Sequence, residues 1–285
     1  MIRRPPRSTQ GVSSAASDVY KRQEPIQKTE KGADMTVSQS ITGIVASLLV
    51  AILIVTAGSS GSISLQGVPL FAVCGIIGFL LHWTVFIPSF AFRTEHYFDL
   101  TGSLSYVSTV VAAIMLNPAF DVRDIIICLM IVIWATRLGS FLFRRIKKDG
   151  QDKRFNVMKT KFTWFLMTWT IGGLWVLVTM AAGLAALTSN ITVELGLIGF
   201  AGIAIWIFGF VIEVVADYQK TQFKKNPDNK DLFITTGLWS WSQHPNYFGE
   251  ITLWFGLALV ALPVLSGWQL ATMVSPFFVL SLIHI

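Results

Sequence analysis

The sequence predicts an all-α fold, a polytopic membrane bundle of seven or more transmembrane helices. Two observations support this. Of the 285 residues, 53% are hydrophobic and only 13% are charged, whereas a soluble domain carries about 25% charged residues. The mean hydropathy is +0.61, and apolar stretches of about 20 residues, long enough to cross a bilayer, recur along the chain.

The candidate spans follow one another with short polar connections between them, and no internal repeat or separate soluble domain is visible. They lie at 40–57, 69–89, 100–116, 124–143, 162–187, 192–216 and 247–264, and an eighth begins near 267.

The two ends of the chain differ from the rest. Residues 1–23 and 281–285 resemble translated sequencing adapters, and neither has the apolar region of a signal peptide, so both are left out of the fold. Residues 24–38 are polar and are expected to be disordered, which leaves 39–280 as the membrane domain. The first segment holds five basic residues against one acidic residue, a net +4 of the formal +6. The basic balance therefore indicates no nucleic-acid partner.

Basic residues predict the orientation of the bundle. The connections at 144–161 and 220–230 are rich in lysine and arginine, whereas the turn at 188–190 between them has neither. Because basic loops stay in the cytoplasm, both connections are expected there. The sequence leaves open whether the membrane is a bacterial inner membrane or the endoplasmic reticulum, and it leaves the oligomeric state open.

Common metal and nucleotide motifs are missing from the sequence. Cys74 and Cys128 lie in apolar surroundings without metal-type spacing and are predicted to be reduced core residues. No CxxC, HExxH, Walker or GxGxxG pattern occurs, so the sequence supports no zinc, P-loop or Rossmann chemistry.

The sixth span ends in a polar stripe. Glu213, Asp217, Lys220 and Lys224 follow one another at spacings of four, three and four, so they share one helix face. Each acidic residue costs about 2.5–3.5 kcal/mol to insert, and such residues therefore face a bundle interior or a wet cavity. Glu213, Asp217 and Lys224 are candidate cofactor ligands. The alternative is a structural ladder of acid–lysine pairs at the membrane edge.

A second polar cluster opens the seventh span, in the stretch "SQHPNYFGE" at 242–250. Pro245 suits the first position of a helix. Asn246 and Glu250 share a face with Tyr247 beside them, and a helix N-terminus offers free N–H groups to a phosphate or carboxylate. His244 could add a donor or a positive charge. The two clusters together predict a pocket at the cytoplasmic surface. The alternative is a helix cap with Tyr247 in an aromatic belt.

Two further residues are candidates from their positions inside spans. Arg137 lies in the fourth span, where it either snorkels to the surface or pairs with Glu213, Asp217 or a cofactor phosphate. Tyr106 continues a polar face of the third span with Asp99 and Ser103. It is a candidate proton donor, and the alternative is a packed core tyrosine.

These residues carry a family resemblance. "TTGLWSWSQHPNYFGEITLWFG", preceded by "ADYQKTQFK", resembles the C-terminal domain of the steroid 5-alpha reductase family, and more closely its uncharacterised bacterial-type relatives. The wider superfamily includes sterol reductases and isoprenylcysteine carboxyl methyltransferases. The resemblance covers about 124–280 and is most specific at 213–250. The methyltransferases share the His-Pro-x-Tyr-x-Gly core without a following acid, so Glu250 favours the reductases.

The resemblance implies an activity and a cofactor. It implies NADPH-dependent reduction of a carbon–carbon double bond in a lipophilic substrate, such as a sterol-like or isoprenoid enone, within membrane lipids. Glu213 stands where the steroid reductases carry asparagine and Lys224 where they carry arginine, which leaves NADH open. It also implies that this chain is truncated at its C-terminus, since relatives continue further. The alternatives are methyl transfer from S-adenosylmethionine, or a membrane protein without catalytic activity. The positions that would contact the cofactor are Asp217, Lys224, Asn246, Tyr247 and Glu250.

Overall fold

The computed structural model describes residues 34–229 and 232–280, and the adapter-like segments at 1–23 and 281–285 lie outside them. Within these ranges the chain is almost entirely helical. The α-helices are α1 Val37–Ser59, α2 Leu70–Gly75, α3 Ile77–Ala91, α4 Phe98–Leu116, α5 Val122–Asp149, α6 Phe162–Thr179, α7 Ala181–Leu187, α8 Leu197–Lys225, α9 Pro245–Ala261 and α10 Ser275–Leu280.

In the part of the chain that the structure describes, seven helical segments are long and apolar enough to cross a membrane, with α2 and α3 forming one of them. The all-α membrane bundle predicted from the sequence is thereby confirmed, and the protein is an integral membrane protein. Exposed apolar side chains such as Leu53, Ile87 and Phe200 lie on the outer surface, where they would contact lipid. The predicted eighth span is a 3₁₀ helix, Gly267–Val274, followed by α10. It is shorter than the other seven.

Several helix bounds differ from the predicted spans. The span predicted at 162–187 is broken at Met180 into α6 and α7. Just before the break, the hydroxyl of Thr179 bonds back to the carbonyl of Trp175, a contact that often bends helices. The span predicted at 192–216 begins only at Leu197 and continues to Lys225. The whole Glu213–Lys224 stripe is therefore helical.

A hairpin with two-residue strands, not predicted from the sequence, lies between α1 and α2. Ser64–Leu65 pairs with Val68–Pro69 in antiparallel register. The turn residues Gln66 and Gly67 both have positive φ, at 50° and 87°. Positive φ at both central positions is typical of the tight turns that join two-residue hairpins.

The connections gather at two ends of the bundle. At the first, Glu95 of the α3–α4 loop accepts hydrogen bonds from Asp152 and Lys159 of the α5–α6 loop. At the other, Asn190 after α7 bonds to Gly61 after α1. The basic connections at 144–161 and 220–229 belong to the first, which we call the basic end. The other is the opposite end.

Helices α8 and α9 pack backbone against backbone. A β-carbon added at Gly209 would lie 2.5 Å from the nitrogen of Leu253, and one at Gly249 would lie 2.6 Å from the nitrogen of Glu213. Gly202 and Gly256 form a second such contact, each placing an added β-carbon 2.6 Å from the other's carbonyl oxygen. This close approach brings the polar stripe of α8 beside the polar cluster of α9.

Candidate functional site

Arg137 of α5 joins the two acids of α8. Its guanidinium donates to Oε1 of Glu213 at 2.5 Å and to Oδ2 of Asp217 at 2.6 Å. The indole N–H of Trp134, one turn earlier on α5, donates to Oε2 of Glu213 at 3.1 Å. Both acids are buried. We call Arg137, Glu213 and Asp217 the Arg137 cluster. Because both carboxylates are directed at one guanidinium, the stripe does not form the acid–lysine ladder that the sequence left possible.

Glu250 faces the Arg137 cluster from α9. It is partly buried and lies close enough to interact electrostatically with Glu213, Asp217 and Arg137. Nothing in the described part of the chain donates a hydrogen bond to its carboxylate. The guanidinium of Arg137 is paired with the other two carboxylates, so the Glu250 oxygens remain available to a ligand that brings N–H donors or positive charge.

The start of α9 borders this site on the side of the basic end. Pro245 occupies the first helical position, as predicted, and His244 precedes it without a side-chain cap bond. The imidazole of His244 stacks on the ring of Tyr247, with centroids 5.3 Å apart. His244 is exposed, whereas Asn246 and Tyr247 are partly buried. The polar residues at the start of α9, His244, Asn246 and Tyr247, therefore form an accessible rim of the site.

Positive charges gather at the same end of the bundle as the rim. Lys220 on α8 lies close enough to Lys224 and to Arg145 on α5 to be repelled by both. Arg154, in the loop after α5, lies close enough to Tyr247 to interact with it electrostatically. Lys224 is exposed and lies outside the Arg137 cluster, so the structure separates the predicted ligands into an inner acidic group and an outer basic group.

Tyr106 is buried next to this site. Its hydroxyl shares a short hydrogen bond with Thr179, and its ring lies edge-on to Trp134, with centroids 5.2 Å apart. Trp254 of α9 completes the aromatic wall, 5.9 Å from the Tyr106 ring. Asp99, on the same helix, pairs with Arg145 at 3.8 Å. The hydroxyl of Tyr106 is thus already hydrogen-bonded, and its catalytic role stays a prediction.

Three residues that were not predicted from the sequence also shape the site. Two of them, Trp134 and Trp254, line the site. Helical spacing could have indicated both, because Trp134 precedes Arg137 by three residues and Trp254 follows Glu250 by four, which places each pair on one helix face. The third is Glu95, which is buried at the basic end and accepts hydrogen bonds from the backbone N–H of Asp152 and from Lys159.

The Glu95 contact positions the loop that carries Arg154. Asp152 binds the Arg154 guanidinium at 2.6 Å. Burial alone would raise the pKa of Glu95, but the hydrogen bonds from Lys159 and Asp152 outweigh burial, so the pKa lies below its ordinary 4.5. The hydrogen bond from Arg154 likewise lowers the pKa of Asp152 below its ordinary 3.8.

We expect the contacts between Glu95 and the α5–α6 loop to weaken in acid. A carboxyl group whose pKa is lowered by folding stabilises the fold above its ordinary pKa, and this stabilisation is lost as pH falls through the folded value. The apparent melting temperature should therefore decline as pH falls below 4.5. Glu95→Gln should melt lower at neutral pH and decline less on acidification. Asp228→Asn, which changes an exposed acid at the same end, is the control. If the melting temperatures of Glu95→Gln and wild type changed with pH in parallel, Glu95 would not be the group that stabilises the loop.

No group of three or more His, Cys, Asp or Glu side chains suited to a metal ion occurs within 34–229 and 232–280. Both cysteines are buried and free.

Parts of the chain are similar to known proteins. A segment of 71 residues is 41% identical to part of a probable O-methyltransferase of Ustilaginoidea virens, and the match covers 25% of each protein. The chain thus spans a quarter of that curated relative's length. No solved structure matches the chain. Residues 85–285 match the family described as "Protein of unknown function (DUF1295)". The chain therefore belongs to the DUF1295 family, within the steroid 5-alpha reductase/methyltransferase-like membrane superfamily.

Proposed function

We propose that the protein is a membrane oxidoreductase that reduces a carbon–carbon double bond of a lipophilic, sterol-like or isoprenoid enone with NADPH. The observation that carries this proposal is the available carboxylate of Glu250 facing the Arg137 cluster. The motif that holds Glu250 resembles that of the steroid 5-alpha reductases. We also propose that the basic end faces the cytoplasm, where NADPH is available, because it carries the lysine- and arginine-rich connections.

The residues present fit a dinucleotide. Glu250 would accept the N–H groups of a nicotinamide carboxamide, and its negative charge would favour the ring when it becomes cationic. Asn246 and Tyr247 would bind beside it at the helix N-terminus. The basic group on the outer rim, with Lys220 and Lys224, would neutralise the phosphates. The acidic part of the site would therefore suit the nicotinamide of a dinucleotide, and the basic part would suit its phosphates.

The reduction requires two additions to the substrate. NADPH, when bound, supplies a hydride for the β-carbon, and a proton is added to the α-carbon. A hydrogen-bond donor at the carbonyl oxygen stabilises the enolate charge that develops between these steps. Tyr106 is the candidate donor, and its hydroxyl would exchange its bond with Thr179 for one with the substrate. Trp134 and Trp254 would exclude water from the reacting atoms.

A second candidate activity is methyl transfer from S-adenosylmethionine to a lipophilic acceptor. The local similarity to a probable O-methyltransferase favours it. The excess of carboxylates over guanidinium groups around Glu250 would also suit a sulfonium cation. The two activities differ in the ligand that the site binds, so binding separates them.

The experiment is a titration of the purified full chain with NADPH, NADH and S-adenosylmethionine. We expect NADPH to bind and Glu250→Ala to weaken it at least about tenfold, or 1.4 kcal/mol. Glu250→Gln keeps the shape of the side chain and removes its charge, so it tests the contribution of the charge alone. Glu194→Ala, an exposed glutamate at the opposite end, should bind like wild type. Binding of S-adenosylmethionine alone would replace the reductase with the methyltransferase, and binding of none of the three would refute both.

A further inference from the structure

A buried arginine closes the opposite end of the bundle. Arg123, in the first turn of α5, is only 2% exposed. Its guanidinium donates to the carbonyl of Val260 at 2.5 Å and to those of Val193 and Glu194 at 3.1 and 2.8 Å. Arg123 therefore holds together the start of α5, the α7–α8 connection and the end of α9.

The guanidinium of Arg123 forms no ion pair in the described part of the chain, and Asp121 and Asp124 act on it electrostatically only from a longer distance. The nearby acids Asp121 and Asp124 are engaged with each other's backbone N–H groups in a reciprocal helix cap. No carboxylate lies within ion-pair distance of the guanidinium, and its Nε–H has no hydrogen-bond acceptor. A buried charge without a direct ion-pair partner is costly, so an anionic ligand at this position would relieve an existing cost.

Beside Arg123 there is a cavity of about 440 Å³. Its lining combines three kinds of surface. Arg123 provides a cation, Val122, Val193 and Leu195 provide apolar walls, and Asp121 and Glu194 provide carboxylates. The cavity lies where helices end, which is the level of lipid headgroups. Apolar walls next to both charges match an amphiphile that itself carries an anion and a cation.

We propose that this cavity binds the headgroup of a zwitterionic aminophospholipid of the phosphatidylethanolamine type. A phosphate oxygen accepts the Nε–H of Arg123. The primary ammonium donates to Asp121 and Glu194, and the glycerol and first acyl carbons lie against the valine and leucine walls. This site lies at the other end of the bundle from Glu250, so the proposal is independent of the proposed function.

Lipid binding by the full chain, measured by native mass spectrometry, tests the proposal. The probes are phosphatidylethanolamine, phosphatidylcholine and phosphatidylglycerol, with free phosphoethanolamine and inorganic phosphate as competitors. We expect phosphatidylethanolamine to bind at least about tenfold more tightly than either other lipid, or 1.4 kcal/mol. The free headgroup and phosphate should compete weakly, since neither fills the apolar walls.

Two sets of variants separate binding from folding. Arg123→Lys keeps the charge but removes the Nε–H donor, and it should weaken phosphatidylethanolamine binding. Because Arg123 also holds the fold together, the second set leaves it intact. Asp121→Asn combined with Glu194→Gln keeps a good helix cap and should abolish the preference over phosphatidylglycerol. Equal binding of all three lipids, competition by phosphate as strong as by lipid, or an unchanged preference in the variant with Asp121→Asn and Glu194→Gln would each overturn the proposal.

Discussion

Replacing Arg137 with glutamine should destabilise the protein by about 3–5 kcal/mol, because it leaves two buried carboxylates without their counter-charge. Glu213 and Asp217 are both directed at this guanidinium, at 2.5 and 2.6 Å. Glu250 is a third acidic side chain nearby. The free energy of unfolding, measured by denaturant titration in detergent, should fall by this amount. The melting temperature should fall by at least about 6 °C.

Two comparisons make this result specific. Arg144→Gln removes an exposed arginine from the same helix, and its effect should stay within about 0.5 kcal/mol. Combining Arg137→Met with Glu213→Gln and Asp217→Asn removes all the charges of the cluster, so most of the lost stability should return. If Arg137→Gln lowered the free energy of unfolding no more than Arg144→Gln, the ion pairs would not be what stabilises the Arg137 cluster.

The combined variant also separates the structural role of the cluster from its proposed role in binding. With stability restored, loss of NADPH binding would be attributable to the site itself. Retained binding would place the cofactor elsewhere and leave the Arg137 cluster as a structural element of the bundle.

The sequence predicted the spans and the polar faces because both are local properties. Hydropathy over about 20 residues identifies a span, and a spacing of four identifies a shared face, as for Glu213 and Asp217. Pro245 likewise marked the start of α9. Such patterns depend only on neighbouring positions in the chain.

The partners of these faces depend on contacts between distant positions. Arg137 lies 76 residues before Glu213, and the sequence left its pairing with the acids open beside a cofactor phosphate or a snorkelling position. The hydroxyl of Tyr106 bonds to Thr179, 73 residues away, which no spacing could indicate. Helix packing decides both contacts. The break at Met180 also escaped prediction, because residues 162–187 are apolar on both sides of it.

Glycine positions show the same limit. Gly196, Gly199 and Gly202 follow one another at spacings of three in the sequence, a pattern of small residues that predicts close helix packing. An added β-carbon at Gly202 would lie 2.6 Å from the carbonyl oxygen of Gly256, whereas one at Gly196 would have no atom within 4 Å. At Gly199 the nearest atoms belong to the side chain of Leu195, which can move. Of the three, only Gly202 packs against another backbone.

Gly249→Ala should disrupt the candidate site through the α8–α9 contact. Its β-carbon would lie 2.6 Å from the nitrogen of Glu213 and 2.7 Å from the carbonyl oxygen of Gly209. Because these are backbone atoms of the facing helix, the helices must separate. Overpacking of this kind costs about 1–3 kcal/mol, and more where the neighbours cannot move.

The separation should also be visible in ligand binding, because it moves Glu250 away from the Arg137 cluster. Gly249→Ala should therefore bind NADPH more weakly even at temperatures where it remains folded. Gly102→Ala is the matched control, since an added β-carbon there has no atom within 4 Å. It should leave binding unchanged and stabilise α4 slightly, as alanine favours a helix over glycine. Equal behaviour of the two variants in melting and titration would mean that α8 and α9 need no backbone contact to form the site.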